Sequence, residues 1–171
     1  MLTALIPGSF DPFTLGHLDL VRRAHALSDR VIVAVAHNPN KRASIPFDAR
    51  TEAIRETLES EGLAQKASVE KLPAGLLVDG AKKLGATHLV KGLRNAQDLA
   101  YEEPMARANM DLGELDTLFL LTDPALAHVS SSLVREIYSL GGDITPYLPA
   151  ASARALEAAY ADSAAHSKEH S

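Results

Sequence analysis

The sequence predicts an α/β fold, a single-domain, doubly wound five-stranded parallel sheet with C-terminal helices. Three observations point there. Five short apolar segments alternate with four stretches of helical character. Residues 31–36 (VIVAVA) and 118–121 (LFLL) are apolar throughout, as strands covered on both faces are. At 171 residues the chain can bury one full core and is expected to form one domain.

Taken in order, the first strand is expected over Leu2–Pro7 and the first helix over Gly16–Leu27. A second strand, Val31–Ala36, leads to a helix over Phe47–Ser60. There Phe47, Ile54 and Leu58 keep near-helical spacing, Pro46 suits a first-turn position and Gly62 suits a stop. The third strand is read at Ala67–Leu72, the third helix at Leu76–Leu84, the fourth strand at Thr87–Lys91 and the fourth helix at Asp98–Leu112. Asp116–Leu121 supplies the fifth strand. Two helices follow, Ser131–Leu140, stopped by Gly141-Gly142, and an Ala-rich one from about Ala150 to Ala161. Residues 1–162 are thus expected to form the domain and the polar 163–171 a disordered tail. His166 and His170 read as tail residues rather than metal ligands. There is no internal repeat and no interdomain linker.

Lys and Arg number 17 against 22 Asp and Glu, a net charge of −5. That balance argues against general nucleic-acid binding, which needs phosphate neutralisation, but not against a small phosphorylated ligand held in a locally basic cleft. The absence of cysteine excludes disulfides, thiolate catalysis and thiolate metal sites. The N-terminus lacks the basic and apolar regions of a signal peptide, and no apolar run approaches the roughly 20 residues that span a bilayer. The expectation is a cytoplasmic protein with neither a membrane nor a nucleic acid as partner.

In a doubly wound sheet, ligands bind beyond the carboxyl ends of the strands, where the strand order reverses. The segments that follow strands therefore carry the information. After the first comes Pro7-Gly8-Ser9-Phe10-Asp11-Pro12-Phe13-Thr14-Leu15-Gly16-His17. Gly8 permits a tight turn and Ser9 offers a hydroxyl and an N–H. Gly16 lets a phosphate approach the first turn of a helix, where His17 could donate a hydrogen bond to it. After the second strand, His37-Asn38-Pro39-Asn40-Lys41-Arg42 would in isolation be a solvated basic turn, but its position lets Lys41 neutralise phosphate charge. After the fourth, Lys91-Gly92-Leu93-Arg94 is a plausible phosphate clamp, followed by Asp98 and Tyr101-Glu102. After the fifth, Val129-Ser130-Ser131-Ser132-Leu133-Val134-Arg135 sets hydroxyls and N–H groups at a helix start. Lys41, Lys91, Arg94 and Arg135 are expected to converge on one cleft. His25 reads as a helix-surface residue and His88 as strand packing.

These strings resemble the nucleotidyltransferase superfamily, a Rossmann-like fold, with Gly8–Pro12 as its G-x-F-D-P element and Thr14–His17 as the T-x-G-H form. Within it, K-G-L-R at 91–94 and V-S-S-S-L-V-R at 129–135 are similar to the phosphopantetheine adenylyltransferases, over nearly the whole chain from Pro7 to about Pro149. The resemblance implies transfer of AMP from ATP to 4′-phosphopantetheine, giving 3′-dephospho-coenzyme A and pyrophosphate. It implies His17, Lys41 and Arg94 as catalytic, and Ser9, Lys41, Leu77 and Lys91 as phosphopantetheine contacts. ATP contacts would be Ser9, Phe10, His17, Gly92, Leu93, Arg94, Glu102, Leu126, Ala127, His128, Val129, Ser130, Ser131 and Ser132. Mg²⁺ would arrive on the ATP phosphates with no metal site of the protein's own. A homohexamer built as a dimer of trimers, and feedback by coenzyme A, are further implications.

The chain departs from the family pattern at Leu99-Ala100, at Leu126-Ala127-His128 and at Pro104. An interior proline costs a helix about 3 kcal/mol or more, so a kink or restart is expected there. Two alternatives share the Gly8–His17 string. One is a sister enzyme acting on nicotinamide or nicotinate mononucleotide or transferring a cytidylyl group, and K-G-L-R and Lys41 weigh against it. The other is a non-catalytic nucleotide-binding module, against which the intact His17 argues.

Overall fold

The computed structural model describes residues 1–36 and 43–168. Five parallel strands form one sheet in the order β3-β2-β1-β4-β5. In chain order the elements are β1 (Thr3–Gly8), α1 (Leu15–Leu27), β2 (Arg30–Val35), α2 (Phe47–Ser60), β3 (Ala67–Lys71), α3 (Leu77–Lys83), β4 (His88–Leu93), α4 (Ala96–Gly113), β5 (Asp116–Leu121), α5 (Ser131–Ser139) and α6 (Ala150–Lys168). This is the Rossmann-like doubly wound sheet expected from the β-α alternation, with each strand within a residue or two of its expected bounds.

Of the two apolar runs, β2 is buried on both faces, but β5, expected to be covered likewise, is an edge strand with Leu118 42% and Leu121 73% exposed. Val31, Val33 and Val35 pack with Ile6 against Leu18, Val21, Ile54 and Leu58 of α1 and α2. The alternate residues Ile32 and Ala34 join Leu5, Leu89, Val78 and Ala81 on the α3 side. Ile32 is fully buried, and burying such a side chain contributes about 1.5–3 kcal/mol. A separate cluster, with Val129, Val134, Leu148 and Leu156, packs α5 and α6 together.

Strand order reverses at β1. Its ladder with β2 runs the full length of the strand, from Thr3↔Arg30 to Gly8↔Val35, whereas its ladder with β4 holds only Ala4↔His88 and Leu5↔Leu89. Residues facing each neighbour alternate along a strand. The Leu2 and Gly8 carbonyls accept from Arg30 and Ala36 on the β2 side, and that of Thr3 accepts from Thr87 on the β4 side. Residue 7 therefore faces β4, and the next rung would need an N–H there. Pro7 has none. β1 and β4 part beyond this point, and a cleft opens between their carboxyl ends.

Two elements differ from expectation. α4 runs as one helix from Ala96 to Gly113 with Pro104 inside it, so the restart does not occur. Pro104 and Ala100 are both exposed, and the carbonyl that loses its donor can bond water instead. α6 continues to Lys168, past the Ala161 end and into the segment expected to be a tail. There the Ser163 hydroxyl donates to the Ala159 carbonyl one turn back at 2.9 Å.

Candidate active site

The cleft encloses about 380 Å³. Its floor is Ile6, Pro7 and Gly8 of β1 and Val90, Lys91 and Gly92 of β4. Its walls bring together Phe10, Gly16, His17, Arg94, Asp98, Tyr101, Glu102, Val129, Ser130 and Ser131. Three strand-end stretches, the outermost more than a hundred residues apart in the chain, thus meet at the switch point. Gly8 is required by a close approach, because a Cβ there would lie 2.8 Å from the Phe10 ring.

His17 occupies the third position of α1. Thr14 is the N-cap, and its side-chain oxygen accepts from the His17 N–H at 3.3 Å. In return the Thr14 N–H donates to His17 Nδ1 at 2.9 Å. This is a capping box closed by an imidazole instead of a carboxylate. With Nδ1 accepting, a neutral ring carries its proton on Nε2. The ring of Phe13 stacks on the imidazole at 5.6 Å and that of Phe10 meets it edge-on at 5.1 Å. Burial, reinforced by the charge of Arg94, lowers the His17 pKa to about 4. At neutral pH the cleft therefore presents an uncharged N–H donor of fixed direction.

Cations in the cleft are matched by carboxylates. Lys91 Nζ lies 3.1 Å from Glu102. Arg94 grips Asp98 through two bonds of 2.9 and 3.0 Å, and its backbone N–H donates to the same carboxylate at 2.9 Å. The hydrogen bond between them raises the Arg94 pKa and lowers that of Asp98. Asn95 caps α4 by accepting from the Asp98 N–H at 2.9 Å, which sets the acid in place. Asp98 appeared in sequence only as a residue after the K-G-L-R string. Its i,i+4 spacing from Arg94 was the signal that it holds the guanidinium.

Other sequence-nominated residues lie elsewhere. Ser9 is exposed on the loop and does not line the cavity. Leu93 is buried in the core. Leu126, Ala127 and His128 lie at or just after the short 3-10 turn Pro124–Leu126, where the His128 ring meets Tyr147 at 6.0 Å. Ser132 is exposed beyond the cavity, while Ser130 caps α5 by accepting from the Leu133 N–H at 3.2 Å. Leu77 lines an adjoining cavity of about 130 Å³ that shares Lys91, Tyr101 and Glu102 with the first and also contains Met105 and Asn109. Lys41 and Arg42 lie outside the described residues.

Arg135 does not reach the cleft as expected. Its guanidinium bonds the Asp11 carbonyl and lies 4.0 Å from the Asp11 carboxylate, bracing the loop from α5. Ser131 donates to the Pro12 carbonyl at 2.8 Å and adds a second tie. His88 is buried within β4, with Nδ1 3.1 Å from Thr87 Oγ1, in keeping with strand packing. Among the described residues no cluster of three or more His, Cys, Asp or Glu could hold a metal ion.

A family model described as cytidylyltransferase-like matches residues 5–137. A phosphopantetheine adenylyltransferase of Clavibacter michiganensis is 53% identical over 153 residues, covering 90% of this chain and 94% of its own. This chain belongs to that family. A second member, from Leifsonia xyli, is 52% identical over 148 residues and covers 86% of this chain and 92% of its own. The chain is accordingly a nucleotidyltransferase. Among solved structures, a Plasmodium falciparum nicotinic acid mononucleotide adenylyltransferase complexed with NaAD superposes with a TM-score of 0.66 at 15% identity, covering 88% of this chain and 91% of that one. A bifunctional NMN adenylyltransferase/ADP ribose pyrophosphatase from Francisella tularensis gives 0.66 at 18% identity over 86% of this chain and 44% of that one. At such identities these two share the fold.

Proposed function

We propose that this chain transfers AMP from ATP to 4′-phosphopantetheine. The observation that carries the chemistry is the neutral, capped His17 beside the α1 N-terminus in the switch-point cleft. An oxygen of the acceptor phosphate attacks the α-phosphorus of ATP, the bond from that phosphorus to the bridging oxygen of the β-phosphate breaks, and pyrophosphate leaves. The acceptor is already an anionic nucleophile, so the protein positions and stabilises and forms no covalent bond.

In this reading His17 Nε2–H donates to the α-phosphate as its charge rises, and Arg94 with Ser130–Ser132 holds the β- and γ-phosphates. Ser9 and Lys41 orient the attacking phosphate. Phe10, Gly92, Leu93, Glu102 and the 126–129 segment complete the ATP side, and Lys91 and Leu77 lead the pantetheine arm into the adjoining cavity. Mg²⁺ rides on the phosphates. Asp98 and Glu102 are each engaged by a cation, which supports a Mg²⁺ that would be carried by the substrate and would supply charge neutralisation there.

The surroundings of the enzyme belong to the same proposal. A cytoplasmic location fits the lack, among the described residues, of a helix able to cross a membrane. The exposed side chains Leu99, Tyr101, Met105 and Leu112 of α4 suit burial against further copies of this chain in a homohexamer. Coenzyme A, as the end product bearing the same arm, is the proposed feedback ligand.

Mixing the protein with ATP, Mg²⁺ and 4′-phosphopantetheine and measuring pyrophosphate tests the reading. Release that requires this acceptor supports it. Release only with nicotinate or nicotinamide mononucleotide, or with CTP as donor, would transfer the chain to a sister activity. ATP binding with no pyrophosphate from any acceptor would make it a binding module.

A further inference from the structure

Arg50 is a charged residue in the wrong place for solvent. It sits on the apolar stripe of α2, three residues after Phe47 and four before Ile54, and is only 4% exposed. Burial pushes its pKa below the ordinary value, against the pull of Asp11. Its guanidinium lies 5.6 Å over the Phe47 ring, and among the described residues its side-chain hydrogen bonds all go to backbone carbonyls beside the cleft. Nε donates to the Ile45 carbonyl at 3.0 Å, and Nη1 donates to the Ser9 carbonyl and, at 3.4 Å, to that of Ala36. Asp11 completes the frame by accepting from the N–H groups of Ser44 and Ile45, both at 2.8 Å. Arg50 itself does not line the cavity.

The Ser9 carbonyl belongs to the Ser9–Phe10 peptide, which is trans. In a trans peptide the C=O and N–H point in opposite directions. Holding the carbonyl on the guanidinium therefore turns the Phe10 N–H away from Arg50. Phe10 lines the cleft, and among the described residues its N–H meets no acceptor. Its φ of +48° lies in the left-handed region, which costs a residue with a Cβ roughly 1–2 kcal/mol and persists only where surrounding bonds impose it. A flipped peptide would offer a carbonyl to an anionic ligand and exclude it.

We propose that Arg50 is a positioning residue that locks the strained Ser9–Phe10 peptide so that the Phe10 N–H is a fixed phosphate donor in the cleft. The proposal deepens the adenylyltransferase reading and rests on its assignment of ATP to this cleft. It concerns how ATP is held, not which acceptor is used.

Ser9-Phe10 is the one Ser-Phe pair in the chain. Labelling serine carbonyls with ¹³C and phenylalanine amides with ¹⁵N therefore isolates the Phe10 amide in an NMR spectrum. MgATP is expected to shift that proton downfield by about 0.3 ppm or more, and adenosine to leave it in place, as for a hydrogen bond to a charged oxygen. Arg50→Lys keeps the charge but not the fork. It is expected to lose that shift and to weaken MgATP binding by about tenfold or more while adenosine affinity holds. A merely structural role would weaken both ligands together. A wild-type Phe10 amide that ignores MgATP, or an Arg50→Lys protein that binds MgATP as the wild type does, would overturn the proposal. The wild-type measurement can overturn the proposal even if the variant does not fold. Neither reading involves turnover, so failure of the pyrophosphate assay with 4′-phosphopantetheine is a separate result.

Discussion

The Thr14 N–H leaves His17 a single nitrogen on which to carry its proton, and burial with the charge of Arg94 discourages a second one. A donor so placed strengthens as charge builds on a phosphoryl oxygen. His17→Ala is expected to lower kcat by about 10²–10³, with a far smaller change in MgATP affinity by calorimetry. Near-normal turnover would remove His17 from the role. Its protonation can be followed by NMR of the ring carbons. The signal is expected to stay neutral through pH 6.5 and to titrate near 4, burial being the main cause and Arg94 the second. Because folding lowers this pKa, the unfolded chain takes up the proton first. The stability linked to His17 is complete above about pH 6.5 and is lost as pH falls toward 4. Urea unfolding midpoints over that window should fall less steeply in His17→Gln. The sequence singled out His17 as a candidate phosphate donor through its place after Gly16. The tautomer was not legible, because it depends on where a backbone N–H three residues earlier points. Arg50 left a readable sign, a charge on an apolar helical stripe, but its target carbonyls lie on three other segments.

At the scale of elements, α4 shows how context overrides a local rule. Pro104 removes one donor from an eighteen-residue helix, and the penalty is smaller than the energy holding the other turns to β4 and β5. Replacing it should reveal that tension. Pro104→Ala restores about 3 kcal/mol of helix propensity, less the 0.4–1 kcal/mol by which proline restricts the unfolded chain. A gain of about 2 kcal/mol in urea unfolding is expected, and no gain would mean that the helix is already relaxed around the ring. The inner strands were readable because both faces are covered, so apolar runs stand out; edge strand β5 carries such a run with Leu118 and Leu121 exposed. Their ends were less so: β4 extends to Leu93 because β5 pairs with it as far as Leu93↔Leu121, a contact between segments more than twenty residues apart.

For the molecule as a whole, charge distribution sets the terms for an anionic ligand. The net charge is −5, and the cations described in the cleft, Lys91 and Arg94, are matched by Glu102 and Asp98. ATP must therefore bring much of its own neutralisation. Chelating Mg²⁺ is expected to weaken ATP binding by on the order of tenfold or more and to stop turnover. Unchanged affinity in chelator would show that the protein's own cations suffice. Convergence of the segments after β1, β4 and β5 on one cleft was legible from their strand-end positions. The diversion of Arg135 to Asp11 was not, since helix position alone does not say which way a long side chain turns.

The missing rung at Pro7 bears on more than cavity shape. A cleft kept open by side-chain repulsion would tend to close in the absence of ligand, and binding would have to reopen it. Here the divergence of β1 from β4 follows from a covalent ring that lacks a hydrogen, a property untouched by pH, salt or occupancy. The site is thereby preorganised, and the interaction energy of an arriving nucleotide is left for affinity and for alignment of the reacting atoms.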